Sequence, residues 1–162
     1  MLRKLTNIFL AFGLVLVMSL TLSPALHSAA MAQAAMPANE LTVYKSPYCG
    51  CCGKWVDYMR GHGFNVKVHD LDDLSAIKTM AGVPSRLQSC HTAMIGGYVL
   101  EGHVPVDAVR SLLGSSAKGK GLAVPGMPIG SPGMEGGSPE AYTVYSFASD
   151  GNSEVFMSMP AQ

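Results

Sequence analysis

The sequence predicts an α/β domain, one sheet flanked by helices with a C-terminal β-hairpin extension, standing behind an export signal. Two observations carry the fold class. Apolar residues alternate at a period of two in several short runs and recur at three and four in the runs between them, and Gly or Pro punctuates nearly every change of period. A third observation, the N-terminal apolar run, sets the signal apart from the domain.

Arg3 and Lys4 precede an apolar stretch from Ile8 to Val17 that continues through Met18, Leu20 and Leu22, and Ala30-Met31-Ala32 then supplies a small-x-small cleavage pattern. Residues 1–32 therefore read as a cleaved signal peptide and the mature protein as periplasmic. A membrane anchor would need about 20 apolar residues and a positive stop-transfer cluster. A lipoprotein signal would need a cysteine at the cleavage point, and the first cysteine is Cys49. With Arg3 and Lys4 removed, nine basic residues face 11 acidic ones, a net charge of −2. No basic run or basic–aromatic stripe points to nucleic acid, and no membrane association is expected after cleavage.

Residues 33–40 read as a flexible leader and residues 41–114 as the core of the domain. Leu41-Thr-Val-Tyr44 is a first strand, closed by Ser46-Pro47. Trp55, Val56, Tyr58 and Met59 then predict a helix from about Cys51 to His62, ending at Gly61 or Gly63. Phe64-Asn-Val-Lys-Val68 alternates as a second strand. Asp72 or Asp73 can cap a helix bearing Leu74, Ile77, Lys78 and Ala81, which Gly82-Val83-Pro84 stops. Ala93-Met-Ile95 and Tyr98-Val-Leu100 flank Gly96-Gly97 as a hairpin. Pro105 opens a helix with Val106, Val109, Leu112 and Leu113 on its apolar face, and Gly114 closes it. Residues 115–140, rich in Ser, Gly and Pro, read as one long loop, and residues 141–159 as a second hairpin packed on the core. The order βαβαββα is that of a thioredoxin-like domain.

Cys49-Gly-Cys51-Cys52 sits between the first strand and the first helix. Free N–H groups and the positive end of a helix favour thiolate over thiol there, so these sulfurs are expected to be reactive or metal-binding. Structural disulfides explain the cluster poorly. Of the three possible pairings of four cysteines, one joins the neighbours Cys51 and Cys52, and the others close a very small loop that constrains the unfolded chain little. Cys49 and Cys52 keep the spacing of a redox couple, but a disulfide exchanger needs two sulfurs, whereas Cu(I) is a soft ion that rewards a third.

Cys90 falls at the start of the third strand, beside the first cysteine loop in this arrangement, and can complete the sulfur set. His91 and His103 are candidate ligands or ligand-supporting groups at the same end. His62 and His69 read as ordinary surface residues. Met59, Met80 and Met94 fall in apolar patterns and are expected in the core, while Met127 and Met134, flanked by Pro and Gly in a polar loop, are weaker candidates as thioether ligands.

Cys49-Gly-Cys-Cys-Gly-Lys-Trp55, Cys90-His91-Thr92, Glu101-Gly-His-Val-Pro105 and Pro125-Gly-Met-Pro-Ile-Gly-Ser-Pro-Gly-Met-Glu135 together resemble the CopG-like family of small periplasmic copper-resistance proteins, over Leu41 to about Met157. The resemblance implies a thioredoxin-fold copper binder with Cys49, Cys51, Cys52 and Cys90 as sulfur ligands, His91 or His103 nearby, and other periplasmic copper-handling proteins as partners. Against thioredoxin itself, Pro84 lies six residues before Cys90 rather than immediately before the strand, which counts against general disulfide exchange. The leading expectation is a copper-binding protein for copper tolerance. A thiol-disulfide oxidoreductase using Cys49 and Cys52 is the alternative from a different class. A zinc protein is weaker, because four-coordinate zinc leaves a donor over. Whether copper or thiol redox chemistry accompanies binding stays open.

Overall fold

The computed structural model describes residues 39–115 and 121–161. The expected signal at 1–32 and nearly all of the expected leader lie outside them. Among the described residues, seven strands form one mixed sheet with three α-helices on its two faces. β1 (Glu40–Lys45), α1 (Gly50–Gly61), β2 (Asn65–Asp70), α2 (Ser75–Met80), β3 (His91–Ile95), β4 (Tyr98–Glu101) and α3 (Val106–Gly114) give the expected βαβαββα order, followed by β5 (Gly121–Ala123), β6 (Tyr142–Phe147) and β7 (Ser153–Met159). The sheet runs β2-β1-β3-β4-β5-β6-β7. β1 is parallel to β2 and antiparallel to β3, which hairpins into β4. No helix among the described residues is long and apolar enough to cross a membrane.

Strand alternation splits the core between the two faces. Trp55, Val56 and Met59 of α1 and Ala108, Val109 and Leu112 of α3 pack with Leu41, Val43, Ile95, Leu100, Leu122 and Val144. On the other face Ala81, Val83 and Leu87 pack with Val99, Ala123 and Phe147. The final hairpin, expected from the sequence, continues the sheet through β5, and across the bulge at Val144/Tyr145 Val144 and Phe147 are buried on opposite faces.

Four features depart from the sequence reading. The stretch read as one loop contains β5, parallel to β4. Its first residue is Gly121, where a β-carbon would collide with the Val99 carbonyl, so the residue that looks like a loop signal is what lets the strands meet. Met80 is 72% exposed rather than in the core, because α2 ends there in a single short turn and a half. Lys78, on the same helix, points inward and is buried against Glu101. Helix α2 takes no side-chain cap at its N-cap residue, Leu74; the Asp73 carboxylate instead accepts from the Ser75 N–H and hydroxyl.

Candidate metal centre

Helix α1 starts at Gly50, one residue earlier than the apolar periodicity indicates, so Cys49 is its N-cap and Cys51 and Cys52 occupy its first turn. Cys49 Sγ accepts from the Cys52 N–H at 3.3 Å, the bond a Ser or Asp would accept at this position. Cys49 and Cys52 are joined as a disulfide, leaving Cys51 and Cys90 as free thiols. Cys51 Sγ lies 3.5 Å from Cys49 Sγ, and Cys52 Sγ lies 3.8 Å from the Cys90 carbonyl oxygen.

β3 pairs with β1 so that His91 stands opposite Lys45, and this register carries Cys90 to the mouth of the cysteine loop. All four sulfurs fall within 4.8 Å of one another. With metal–sulfur bonds of about 2.3 Å, as for a thiolate-bound zinc ion, one ion can touch several of them. Cys90 also belongs to a second group. Its Sγ lies 3.0 Å from His103 Nε2 and 3.5 Å from His91 Nδ1, and these three donors again fall within 4.8 Å of one another.

Both imidazoles are fully buried. His103 Nδ1 lies 2.7 Å from the Pro132 carbonyl and donates to it, which leaves the Nε2 lone pair facing Cys90. Burial holds His103 below the usual histidine range despite that carbonyl, and pushes the Cys90 thiol up to about 11, the neighbouring Cys51 adding to the shift. The metal-free contact is thus a neutral S–H donating to a neutral imidazole. Burial, then the charges of His103, Lys78 and Lys45, hold His91 well below its ordinary value. His91 Nε2 is buried and has no hydrogen-bond partner. An unpaired buried nitrogen costs about 1–3 kcal/mol, and nitrogen lone pairs beside a thiol are a donor set suited to a soft or borderline metal.

The segment after β5 folds back over these groups. Pro132 supplies the carbonyl for His103, and Gly126 supplies one that accepts from the Ser89 hydroxyl. At Gly133, with φ +86°, a β-carbon would stand 2.7 Å from the Cys51 carbonyl and 2.9 Å from the Trp55 nitrogen, so the loop can lie this close only as glycine. Met127 is 51% exposed and Met134 half-buried on this loop. His62 and His69 stay outside the site: one contacts the Tyr58 carbonyl on the surface, the other stacks on Tyr44.

Residues 87–134, which include Cys90, both buried histidines and most of this loop, match the family described as "Protein of unknown function, DUF411". No curated protein sequence matches. Two solved structures match over most of the chain. One, described as "Copper resistance protein copG- Form 2", is 40% identical, covers 75% of this chain and 98% of its own, and superposes with a TM-score of 0.71. The other, "Copper resistance protein copG- Form 1", is 39% identical, covers 77% and 100%, and gives 0.73. This chain belongs to the CopG family.

In this CopG-family chain the groups that sequence reasoning missed lie around the donors rather than among them. Lys78, Thr92 and Glu101 form a buried polar network behind Cys90. Lys78 shares a helical face with Leu74, Ile77 and Ala81, and Glu101 directly follows an apolar strand; a charged residue of each sign in such patterns is the signal available from sequence. The role of Pro132 had none, because a backbone carbonyl leaves no residue type to read.

Proposed function

We propose that this protein is a periplasmic copper-binding protein for copper tolerance, exported by a signal cleaved after Ala32, that holds Cu(I) through Cys49, Cys51, Cys52 and Cys90 with His103 and His91 as nitrogen donors. The observation that carries this reading is Cys90 Sγ, which lies in both donor groups and brings two buried imidazoles up to a thiol cluster. Thiolates select Cu(I) over harder ions. Closing the Cys49–Cys52 disulfide withdraws two of the four thiolates, and a dithiol donor supplying two electrons and two protons restores them. Met127 and Met134 ride on the covering loop and are the candidates for a thioether contact. Other periplasmic copper-handling proteins are the natural partners.

The test is competition between the reduced, anaerobically purified protein and a Cu(I) chelator, run beside Zn(II). Strong Cu(I) retention with weak Zn(II) retention is expected. Equal retention of the two ions sinks the copper assignment.

The Cys49–Cys52 disulfide at a helix N-terminus favours a second reading, thiol-disulfide exchange. Cys51→Ser separates the two. An exchanger tolerates the loss of Cys51, whereas a copper site loses affinity or stoichiometry while the fold is kept.

A further inference from the structure

Glu101, at the end of β4, is fully buried. Its Oε1 accepts from Lys78 Nζ at 2.5 Å and from the Ser89 backbone N–H at 2.6 Å, and its Oε2 accepts from the Thr92 hydroxyl at 2.7 Å. Lys78 Nζ also donates to Thr92 Oγ1 at 3.2 Å. Ser89 and Thr92 are the residues on either side of Cys90-His91, so one carboxylate grips both ends of the dipeptide that carries two donors. The third donor, His103, follows two residues after Glu101 on the same chain. The intervening Gly102 bonds the His91 carbonyl and packs so closely on Ser89 that a β-carbon would stand 2.6 Å from its side chain. Thr92 points to the opposite face of β3 from His91, which puts Glu101 and Lys78 behind the site rather than in it.

Three donors converge on this side chain: an ammonium, an amide and a hydroxyl. The ammonium and the amide share Oε1, which a glutamine oxygen could also serve, and the Thr92 hydroxyl could turn to accept from a glutamine NH2; what a glutamine removes is the negative charge that pairs the buried Lys78 ammonium. Burying a charge pair is costly and is weak evidence for stability, because hydrocarbon of the same shape often does as well. The network fits the task of holding one geometry. Resting on the copper reading above, we propose that Glu101, neutralised by Lys78, is a positioning residue that fixes Cys90, His91 and His103 in register for the metal by clamping Ser89 and Thr92. Helix α2 is joined to the site through Lys78.

The variants Glu101→Gln and Thr92→Val test the clamp against Phe147→Leu, a core change on the same face of the sheet. Three quantities are read in the reduced protein: Cu(I) affinity by chelator competition, the alkylation rate of Cys90 in the metal-free state by peptide mapping, and the melting temperature. Groups that orient metal ligands cost roughly 10–100-fold in affinity when removed. Glu101→Gln is expected to lose Cu(I) affinity by about tenfold or more and to alkylate faster at Cys90. Thr92→Val should do both to a lesser degree, and Phe147→Leu should lower the melting temperature while changing neither. Should Glu101→Gln fail to fold, Thr92→Val, which keeps the ion pair and two of the three bonds, decides the matter alone. Wild-type affinity and wild-type Cys90 reactivity in the clamp variants overturn the proposal, as does a Phe147→Leu protein that loses as much. If the wild-type protein does not retain Cu(I), the copper reading fails, and the Cys90 alkylation rates still decide whether the clamp exists.

Discussion

The Cys49–Cys52 turn and the Cys90–His91–His103 pocket face each other across a few ångströms and are built in opposite ways. The first is local: four consecutive residues at a helix start, partly exposed, two of them already tied as a disulfide. The second is assembled by strand register, with donors 13 residues apart brought together by the β3–β4 hairpin and shut in by a carbonyl from Pro132. The consequence is a division of control. The redox state of Cys49 and Cys52 sets how many free thiols the first group offers, while desolvation keeps Cys90, His91 and His103 neutral.

The largest effect should come from the atom the two groups share. Cys90→Ser is expected to lower Cu(I) affinity by more than the roughly 10–100-fold typical of supporting groups, measured by chelator competition. Wild-type affinity in that variant would break the comparison, since the groups would then act separately.

Next is the redox state of the local group. Protein kept free of reductant, with Cys49–Cys52 closed, should take up less Cu(I) than the same protein after reduction, and quantitative alkylation should count two reactive cysteines before reduction and four after. Equal copper uptake in both states would mean that Cys49 and Cys52 are not ligands.

A smaller effect is expected at the cover. Gly133→Ala forces a side chain against the Cys51 carbonyl at a positive φ, a strain of order 1–3 kcal/mol, visible as a fall in melting temperature by several degrees in a domain of this size. An unchanged melting temperature would mean that the loop does not rest on α1.

The smallest is a pH effect. In the metal-free protein with Cys49–Cys52 closed, burial, with the neighbouring Cys51 adding to it, places the Cys90 thiol at about 11, against 9.0 for an ordinary cysteine. The unfolded chain therefore loses this proton first, and the contribution of Cys90 to stability, full below pH 9, should decline as pH rises through about 11. Denaturant melts at several alkaline pH values, compared with Cys90→Ser, isolate it. A wild-type curve parallel to that of the variant would show that Cys90 is not desolvated.

These two regions were not equally readable from the chain. Cys49, Cys51 and Cys52 are contiguous, so residue type and spacing reveal the cluster before any fold is known. Cys90, His91 and His103 could be placed only by arguing that the third strand returns beside the first, and the β1–β3 register bears that out. What stayed hidden is what strand and helix patterns cannot encode. Gly121 has the composition of a loop and the position of a strand. Met80 follows the apolar rhythm of a helix that stops too soon to bury it. The pairing of Lys78 with Glu101 emerges only when α2 and β4 meet. The Pro132 carbonyl belongs to the backbone, which every residue shares.

Trp55 is the single tryptophan of the chain. Its indole N–H donates to the Val104 carbonyl at 3.0 Å, and its ring centre lies 4.5 Å from that of His91. The molecule therefore carries one optical reporter, fully shielded from water and set against a candidate donor. Charging the imidazole, or seating a transition ion beside it, opens a quenching route for the indole excited state. Every photon emitted under selective indole excitation comes from this one place, so filling and emptying of the centre can be followed in real time with no dye attached.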